Sequence, residues 1–403
     1  MWLSDLRLVL PDGTLERGSL QIEQGRITTI IEGSAPSSAS GRIVDGDALT
    51  ALPGIIDMHG DMIEGELEPR PGAQFPFEMA IFELDKRLAA CGVTTAYAGI
   101  SFWEPESKTN ARNKQRSGER AQQLVNAVDR LRDSLLTELY IHARYEVTTP
   151  IVAPALTELL AARKIQLLSL MDHTPGQGQY RNLEHYVSFM SKWRNAHPAD
   201  IEAETLERIR RVQNMPTLWQ IAAELIELAV EQQLPIASHD DDTPTKIELM
   251  TRFNVAISEF PVTLEAALAA RLRGLHVVMG APNVLRGGSH SGNLSALEAI
   301  EAGVVDMLAA DYSPAALLQA VFVIVNKGVL PLHEAAKLVS QNVAAALHFA
   351  DRGSIEVGQR ADLVLVETAA FPRVRGTLRH GMPIYWDGSM AQRSAAQMLV
   401  GTR

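Results

Sequence analysis

The sequence has little cysteine and no long apolar run. Cys91 is the single cysteine among 403 residues, which excludes a disulfide within the chain and favours a reducing compartment. No run of 18 apolar residues occurs, and Asp5 and Arg7 interrupt the first apolar segment. Neither a signal peptide nor a membrane span is therefore predicted. We expect a cytoplasmic protein that does not bind membranes.

Basic side chains are also in the minority. The chain has 48 acidic and 37 basic side chains and a formal net charge of -11, which argues against non-specific binding of nucleic acid. An anionic small-molecule substrate is not excluded, because a few arginines can dominate the field of one cleft. The hydrophobic content of 46% and charged content of 21% are typical of a globular protein. The length suits one large barrel domain or two ordinary domains.

From Ala51 onward the apolar pattern alternates between strand and helix. Amphipathic segments, each of helical period, separate eight short β-rich runs. These runs are residues 51–58, 93–99, 139–147, 165–171, 235–238, 255–260, 277–279 and 304–309. Eight strand–helix units over about 270 residues predict an α/β fold of the (β/α)8 TIM-barrel type. An open doubly wound sheet is the alternative, but no glycine-rich nucleotide-binding turn follows an early strand.

Both ends of the chain have β-type patterns instead. Short alternating runs with hairpin turns fill residues 1–50, and β-rich runs return after residue 353. The simplest arrangement pairs residues 1–50 with residues 353–403 in a small β-sandwich domain. Residues 51–352 then form the barrel domain, with the charged helical segment 180–213 as an insertion.

The triplet His59-Gly60-Asp61 stands at the end of the first predicted barrel strand. Residues i and i+2 of an extended strand project to the same face, so His59 and Asp61 can point at one ion. Imidazole and carboxylate together suit a divalent transition metal. The C-terminal strand ends are also where barrels of this type hold their chemistry.

Potential ligands and bases follow four other predicted strands. Because barrel strands converge at their C-terminal mouths, all of these side chains can share one site, and their recurrence predicts a metal centre. They are His142, Arg144 and Glu146 in strand three, His173 after strand four, His239 to Asp242 after strand five, and Asp311 after strand eight.

The set suits one or two divalent ions. A bridging carboxylate lets two cations lie about 3.5–4 Å apart with a hydroxide between them. Glu146 can provide that bridge, between one ion held by His59 and Asp61 and another held by His173 and His239.

Two questions about the centre stay open at this point. Alternation places His142, Arg144 and Glu146 on the same face of strand three, so spacing does not decide whether His142 or Glu146 is the ligand. Zn, Mn and Fe all accept mixed histidine and carboxylate ligands, so the metal is not identified. Asp311 lies at a strand end without an adjacent histidine, which favours a role as general base.

Several runs of residues carry a family resemblance. Leu52-Pro-Gly54, the HxD triplet, Asp311 and the strand Ala361–Val366 are similar to the amidohydrolase superfamily over nearly the whole chain. Longer runs resemble its phosphonate-metabolism (PhnM) family, which is associated with the carbon–phosphorus lyase pathway. These runs are Pro69-Arg-Pro71, His142–Glu146, Ser169–Gln177, Ser238–Asp241, Glu259-Phe-Pro261, Met279–Asn283, Arg286–Asn293 and Asp311-Tyr312.

The resemblance implies a diphosphatase. Such an enzyme hydrolyses alpha-D-ribose 1-methylphosphonate 5-triphosphate to the 5-phosphate and diphosphate, with a metal-bound hydroxide as the nucleophile. The run from Arg286 to Asn293 supplies a guanidinium, glycines, backbone N–H groups and hydroxyls, which suit a phosphate-rich ligand. The resemblance therefore implies a small phosphorylated sugar as the substrate, and a homodimer. The implied substrate contacts are Arg70, Arg144, Asn283, Arg286, Ser289, His290 and Asn293.

The sequence departs from the family pattern at three positions. Gly60 stands where the family commonly has threonine, Gly178 replaces an arginine, and Ser313 replaces a tyrosine. The basic cluster Lys108, Arg112, Lys114 and Arg116 is a possible source of replacement charge, although charge runs are usually solvated.

Two other functions compete with the diphosphatase. Hydrolysis of an amide or cyclic amide is the reaction that the superfamily name suggests, but it does not need several arginines at the barrel mouth. A non-catalytic scaffold predicts missing ligands, yet the full set is present.

Overall fold

The chain folds into two eight-stranded sheets with helices packed around one of them. The computed structural model describes residues 1–70, 72–104, 117–215, 217–289, 292–369 and 371–400. The first sheet combines strands from both ends of the chain in the order β16-β15-β14-β5-β1-β2-β3, with β4 also paired to β1. These strands are β1 (Trp2–Leu10), β2 (Gly13–Glu23), β3 (Arg26–Glu32), β4 (Ile43–Asp45), β5 (Leu49–Pro53), β14 (Leu363–Glu367), β15 (Arg373–Arg379) and β16 (Met382–Trp386).

The second sheet is the predicted parallel barrel. Its strands follow one another in chain order, and each is parallel to its neighbour. A parallel bridge between Gly60 and Asp311 brings the last strand back to the first. The strands are β6 (Ile55–Gly60), β7 (Val93–Phe102), β8 (Glu138–Glu146), β9 (Leu167–Met171), β10 (Ile236–His239), β11 (Ile257–Glu259), β12 (His276–Gly280) and β13 (Met307–Ala309).

Helices connect successive barrel strands, as parallel pairing requires. Several begin at a side-chain cap, such as Thr243 and Thr263, whose hydroxyl oxygens accept from the backbone N–H three residues later. The helices are α1 (Met62–Leu67), α2 (Phe77–Ala90), α3 (Gly118–Leu131), α4 (Ala153–Ala161), α5 (Leu183–Arg194), α6 (Pro198–Gln213), α7 (Leu218–Glu231), α8 (Pro244–Arg252), α9 (Leu264–Leu272), α10 (Ala281–Arg286), α11 (Ala296–Glu301), α12 (Ala315–Asn326), α13 (Leu332–Lys337), α14 (Gln341–Ala346) and α15 (Gly388–Val400).

The barrel strands contribute to two separate apolar cores. One core joins the strands to the surrounding helices, and it includes Val93, Ile141 and Leu225. The other contains Met58 and Val278 from the strands together with Val343 of α14. The barrel therefore has a filled interior, and its C-terminal mouth is where a site is expected.

The sheet built from both chain ends has its own core, which includes Leu8, Leu20 and Leu363. Strand β5 crosses the predicted boundary at residue 50 and pairs with β1 and β14. The division into two domains stays a prediction. Among the described helices, none has the length and apolar character needed to cross a membrane.

Candidate metal and substrate site

Three strand ends use an unusual backbone conformation to direct side chains into the barrel mouth. Asp240, Phe260 and Asp311 have φ values of 53°, 54° and 55°, a left-handed region that costs non-glycine residues free energy. Each backbone N–H still donates to the neighbouring strand, at 2.9 Å to the carbonyl oxygens of Glu259, Val278 and His59 respectively. All three side chains line one cavity. The strained residues thus continue the strand ladder while the chain turns.

That cavity gathers most of the predicted site residues. His59, Asp61, His173, His239 and Asp311 line it together, although they come from the ends of β6, β9, β10 and β13. The convergence expected of barrel strand ends is what places them together.

Two overlapping groups of three side chains can hold a metal ion. Their ligand atoms lie within 4.8 Å of one another, and His239 belongs to both groups. The groups are His59, His239 and Glu259, and His173, His239 and Asp240. His59 Nδ1 lies 3.2 Å from Glu259 Oε1, and His239 Nδ1 lies 3.1 Å from Asp240 Oδ2. A metal ion would therefore be bound next to His239.

The hydrogen bonding of these groups fits the binding of a cation. Within the described part of the chain, neither ring nitrogen of His59 makes a hydrogen bond, nor do His239 Nε2 and Glu259 Oε1, although all four atoms are buried. Buried polar atoms without partners are rare and costly in folded proteins. A divalent ion would satisfy them, because neutral imidazole and carboxylate are its preferred ligands.

Burial keeps two of the histidines in the form that binds metals. It lowers the pKa of His59 well below its ordinary value and that of His142 to about 3, so both rings are neutral near pH 7. Burial also tends to lower the pKa of His239, but the Asp240 carboxylate raises it above its ordinary value. Burial and the nearby Asp61 carboxylate raise the pKa of Asp311 to about 7.

Glu146 lies outside the cavity lining, and its oxygens are already bonded. Its Oε2 lies 2.6 Å from His173 Nδ1, and its Oε1 accepts from the His173 backbone N–H and the Thr148 hydroxyl. A carboxylate on one ring nitrogen orients the other nitrogen toward a metal. The geometry therefore favours Glu146 as the residue that orients His173, whereas we had predicted a bridging ligand.

Asp61 and His142 are both close to the site but belong to neither group of potential ligands among the described residues. Asp61 Oδ2 accepts from Arg144 Nη1 at 3.3 Å. His142 Nε2 lies 3.6 Å from Glu259 Oε1 beneath His59. The predicted pairing of His59 with Asp61 assumed an extended chain, but β6 ends at Gly60 and Asp61 precedes helix α1.

Most predicted substrate contacts reach the cavity. Arg144, Asn283, Arg286, Ser289 and Asn293 line it. The Asn283 side chain also holds the following loop, since it donates to the Leu294 carbonyl and accepts from the Ala296 N–H, both at 3.0 Å.

One other predicted contact lies away from the cavity, and the rest cannot be compared with it. Arg70 is exposed and does not line it. His290 and the basic cluster Lys108, Arg112, Lys114 and Arg116 lie outside the described residues.

Sequence reasoning missed Glu259 as a candidate ligand, and it named Asp240 only as one of the carboxylates after strand five. Glu259 is a charged residue inside the apolar run 255–260, and this was a usable signal for a buried functional carboxylate. Asp240 directly follows His239, and neighbours on a strand point to opposite faces. Only its left-handed backbone allows Asp240 to share the cavity.

Buried polar side chains next to His239 and Glu259 connect the two strands that carry these residues. Asp241 Oδ2 accepts from the hydroxyls of Ser238 and Ser258, at 2.5 and 2.6 Å, and so ties β10 to β11. Lys246 Nζ donates to the His239 carbonyl at 3.1 Å and lies 3.7 Å from Asp241 Oδ1. This lysine balances the buried Asp241 charge.

Two of the departures from the family pattern have local structural correlates. A Cβ atom on Gly60 would lie 2.7 Å from Met62 Cε and 2.8 Å from Asp57 Oδ2, so threonine would require Met62 to move. Gly178 has a φ of 55°, and a Cβ there would lie 3.1 Å from the Asp240 carbonyl oxygen. Both glycines therefore adjoin the site.

A parallel eight-stranded barrel with histidines and carboxylates at its mouth is the architecture expected of the amidohydrolase superfamily. A profile described as the amidohydrolase family matches residues 195–385. N-acetyl-D-glucosamine-6-phosphate deacetylase from Mycobacterium smegmatis has a similar fold, with a TM-score of 0.63 at 16% identity over 96% of this chain and 100% of that chain. Dihydropyrimidinase from Brevibacillus agri matches with a TM-score of 0.56 at 13% identity, over 96% of this chain and 95% of that one.

A curated relative gives a more specific result. Alpha-D-ribose 1-methylphosphonate 5-triphosphate diphosphatase from Escherichia coli (strain K12) is 34% identical over 374 residues, which are 91% of this chain and 94% of the relative. The chain therefore belongs to the amidohydrolase superfamily and, within it, to the PhnM family of this diphosphatase.

Proposed function

We propose that this protein hydrolyses alpha-D-ribose 1-methylphosphonate 5-triphosphate to the 5-phosphate and diphosphate. The observation that carries the proposal is the meeting, in one cavity, of a potential metal group with the arginines Arg144 and Arg286. The relative of that name, similar over nearly the whole chain, supports the same substrate.

The cavity offers suitable partners for a polyphosphate. Guanidinium groups bind phosphate oxygens through paired, charge-assisted hydrogen bonds. Ser289 and Asn293 add short polar groups from the loop after α10. An amide substrate carries no comparable negative charge, so two arginines in the cavity favour the phosphorylated sugar.

The reaction needs a water molecule at phosphorus and a diphosphate leaving group. Water attacks the α-phosphorus, the bond from that phosphorus to the α–β bridging oxygen breaks, and the bridging oxygen leaves with diphosphate. A divalent ion held beside His239 would make that water nucleophilic near neutral pH and neutralise phosphate charge. Asp311 lines the same cavity and is the candidate base for the proton of the water.

The direct test is a product assay on metal-loaded protein, with phosphorus NMR as the readout. We expect equimolar 5-phosphate and diphosphate from the triphosphate substrate. His59→Ala, which removes a predicted ligand, and Asp311→Asn, which removes the predicted base, should both abolish product formation. The exposed residues His185 and Asp12 offer matched controls, His185→Ala and Asp12→Asn, which should retain activity.

The assay distinguishes a wrong substrate from a wrong metal site. Protein that binds metal but leaves the triphosphate intact would reject this substrate and direct the search to other phosphorylated sugars and cyclic amides. Full activity in His59→Ala would instead reject the metal site. The predicted homodimer is a separate expectation, which sedimentation analysis would check.

A further inference from the structure

Arg144 is a buried cation in the middle of the candidate site. Its side chain is only 11% exposed, and its Nη1 lies 3.3 Å from Asp61 Oδ2. Arg144 belongs to β8, whereas Asp61 follows β6, so the side chain must cross the intervening strand β7.

The crossing is possible because β7 has a glycine at that point. A Cβ atom on Gly99 would lie 3.1 Å from Arg144 Cδ, 3.4 Å from the Gly60 carbonyl oxygen and 3.7 Å from Asp61 Cα. The 3.1 Å contact is closer than most Cβ atoms make, so even alanine at this position would require the Arg144 side chain to shift by a few tenths of an ångström. The local structure is therefore built to bring the guanidinium of Arg144 to Asp61.

Carboxylates surround this guanidinium. The Asp61 carboxylate accepts from its Nη1, and Asp240 and Asp311 line the same cavity. Neither Asp61 nor Asp311 belongs to a group of potential metal ligands among the described residues, so Arg144 is the cation on this side of the cavity.

We infer that the site takes a single divalent ion beside His239, and that Arg144 supplies a second, fixed positive charge on the Asp61 side. This inference rests on the proposed metal-dependent hydrolysis and decides between the one-ion and two-ion arrangements. Metal ions share ligands at short range only when carboxylates offset their repulsion. Here Asp61 is already paired with a guanidinium.

The charge balance of the cavity agrees with one ion. Four carboxylates, Asp61, Asp240, Glu259 and Asp311, line the cavity or belong to its ligand groups, and Arg144 and Arg286 line it too. With all four carboxylates ionised, these groups leave two negative charges, which one divalent ion neutralises, and protonation of Asp311 would only lower that number. A second ion would leave the buried site with excess positive charge before substrate arrives, which is unfavourable at low dielectric.

A fixed guanidinium also affects how the substrate binds. It cannot be lost by chelation, and it remains charged at any pH at which the protein folds. Arg144 lines the cavity, so it can contact a phosphate oxygen that the metal ion does not. The proposed substrate would then bind between the metal ion, which a chelator can remove, and the guanidinium of Arg144, which it cannot.

The test is a count of tightly bound Mn²⁺ or Zn²⁺ per chain, with no substrate present. Apo protein is loaded, freed of weak surface ions with a mild chelator, and analysed by mass spectrometry of the metal and by calorimetric titration. We expect one ion in the wild-type chain. Arg144→Met removes the charge but keeps much of the side-chain volume, and it should bind two ions. Arg144→Lys should still bind one.

Arg286→Met is the matched control, because it removes the other guanidinium of the same cavity and should leave the count at one. Two tight ions in the wild type would overturn the inference. A single ion in Arg144→Met would also overturn it, because the guanidinium would then not be what excludes the second ion.

If Arg144→Met does not fold, Arg144→Gln provides the same test, since an amide can still hydrogen-bond Asp61. Because the count uses no triphosphate, it can succeed or fail whether or not that compound is the substrate.

Discussion

Both ends of the barrel contain buried charged groups, but the two ends differ in how many of the buried polar atoms have hydrogen-bond partners. At the N-terminal end, Glu138 accepts from Arg360 Nη1 at 2.7 Å and from Arg352, while Arg360 Nε donates to Asp362 at 2.7 Å. At the C-terminal mouth, His59, His239 and Glu259 hold buried polar atoms without hydrogen bonds among the described residues.

The contrast separates a structural charge cluster from a functional one. Arg352 and Arg360 follow the barrel in sequence, so their bonds to Glu138 at the start of β8 fasten the C-terminal part of the chain to the barrel. At the mouth, buried polar atoms without hydrogen bonds instead lie next to strained backbone at Asp240, Phe260 and Asp311. Natural proteins break packing and bonding rules chiefly where binding or catalysis gains from it.

The largest expected effect is at the N-terminal cluster. Glu138→Gln removes the one negative charge that Arg352 and Arg360 share, and their side chains are only 7% and 2% exposed. Arg352 keeps Asp351 and Arg360 keeps Asp362, but the two buried guanidinium groups lose the carboxylate between them. We therefore expect the free energy of unfolding to fall by about 3 kcal/mol. Urea denaturation of the apo protein would measure this change.

The control is Glu83→Gln, which breaks the exposed pair with Lys86 and should cost less than about 1 kcal/mol. Arginine neighbours hold the pKa of Glu138 below its ordinary value against the effect of burial. Stabilisation by Glu138 is therefore present above the unfolded-state pKa and is lost as pH falls through the lower folded pKa. Equal losses in both variants at pH 7 would contradict this account.

At the mouth, Glu259→Gln should lower metal affinity without lowering stability. Its amide can donate where the carboxylate now faces His59 without a hydrogen bond, so apo stability should not fall. Metal affinity should fall by at least about 100-fold, because a direct ligand contributes more than the outer partners of such sites. Calorimetric titration measures this, with the exposed Glu265→Gln as control. Unchanged affinity would exclude Glu259 as a ligand.

Lys246→Met tests the buried polar side chains next to His239 and Glu259. It removes the donor to the His239 carbonyl and the balance for Asp241, so metal affinity should fall by about 10-fold. Lys246→Arg should restore part of the loss, and the exposed Lys327→Met should cause none. A loss of stability with full metal affinity would show that Lys246 has only a structural role.

The smallest expected effect is at the cap of α8, the helix that carries Lys246. Thr243→Ala removes the hydroxyl that accepts from the Lys246 N–H at 3.2 Å, which should cost about 1 kcal/mol of stability. Metal affinity should not change, since the cap contacts no ligand. If metal affinity fell together with stability, α8 would position the metal ligands as a rigid unit. Stability and metal binding at the mouth would then not be separate properties.

Much of the fold could be predicted from local patterns. The apolar runs around Ile55, Ile141 and Leu168 are strands as expected, and the amphipathic segments between them are helices. The charged segment 180–213 contains α5 and α6, between β9 and β10. Local periodicity succeeds here because burial against a neighbouring layer determines which residues of an element are apolar.

The candidate site could be predicted less completely. The strand-end positions of His59, His173, His239 and Asp311 follow from barrel geometry, and all four line the cavity. The partners of those residues did not follow from the sequence, because they depend on where the chain leaves the extended conformation. Asp61 turns to Arg144, and Glu146 turns to His173.

The sequence by itself thus determined the strand and helix order, the residue types at the strand ends and the family. Only the tertiary structure decided which carboxylates meet which histidines. The physical reason is that strand alternation applies only within extended chain. The left-handed backbone at Asp240 and the space above Gly99 are properties of neighbouring strands in contact, and no local pattern encodes them.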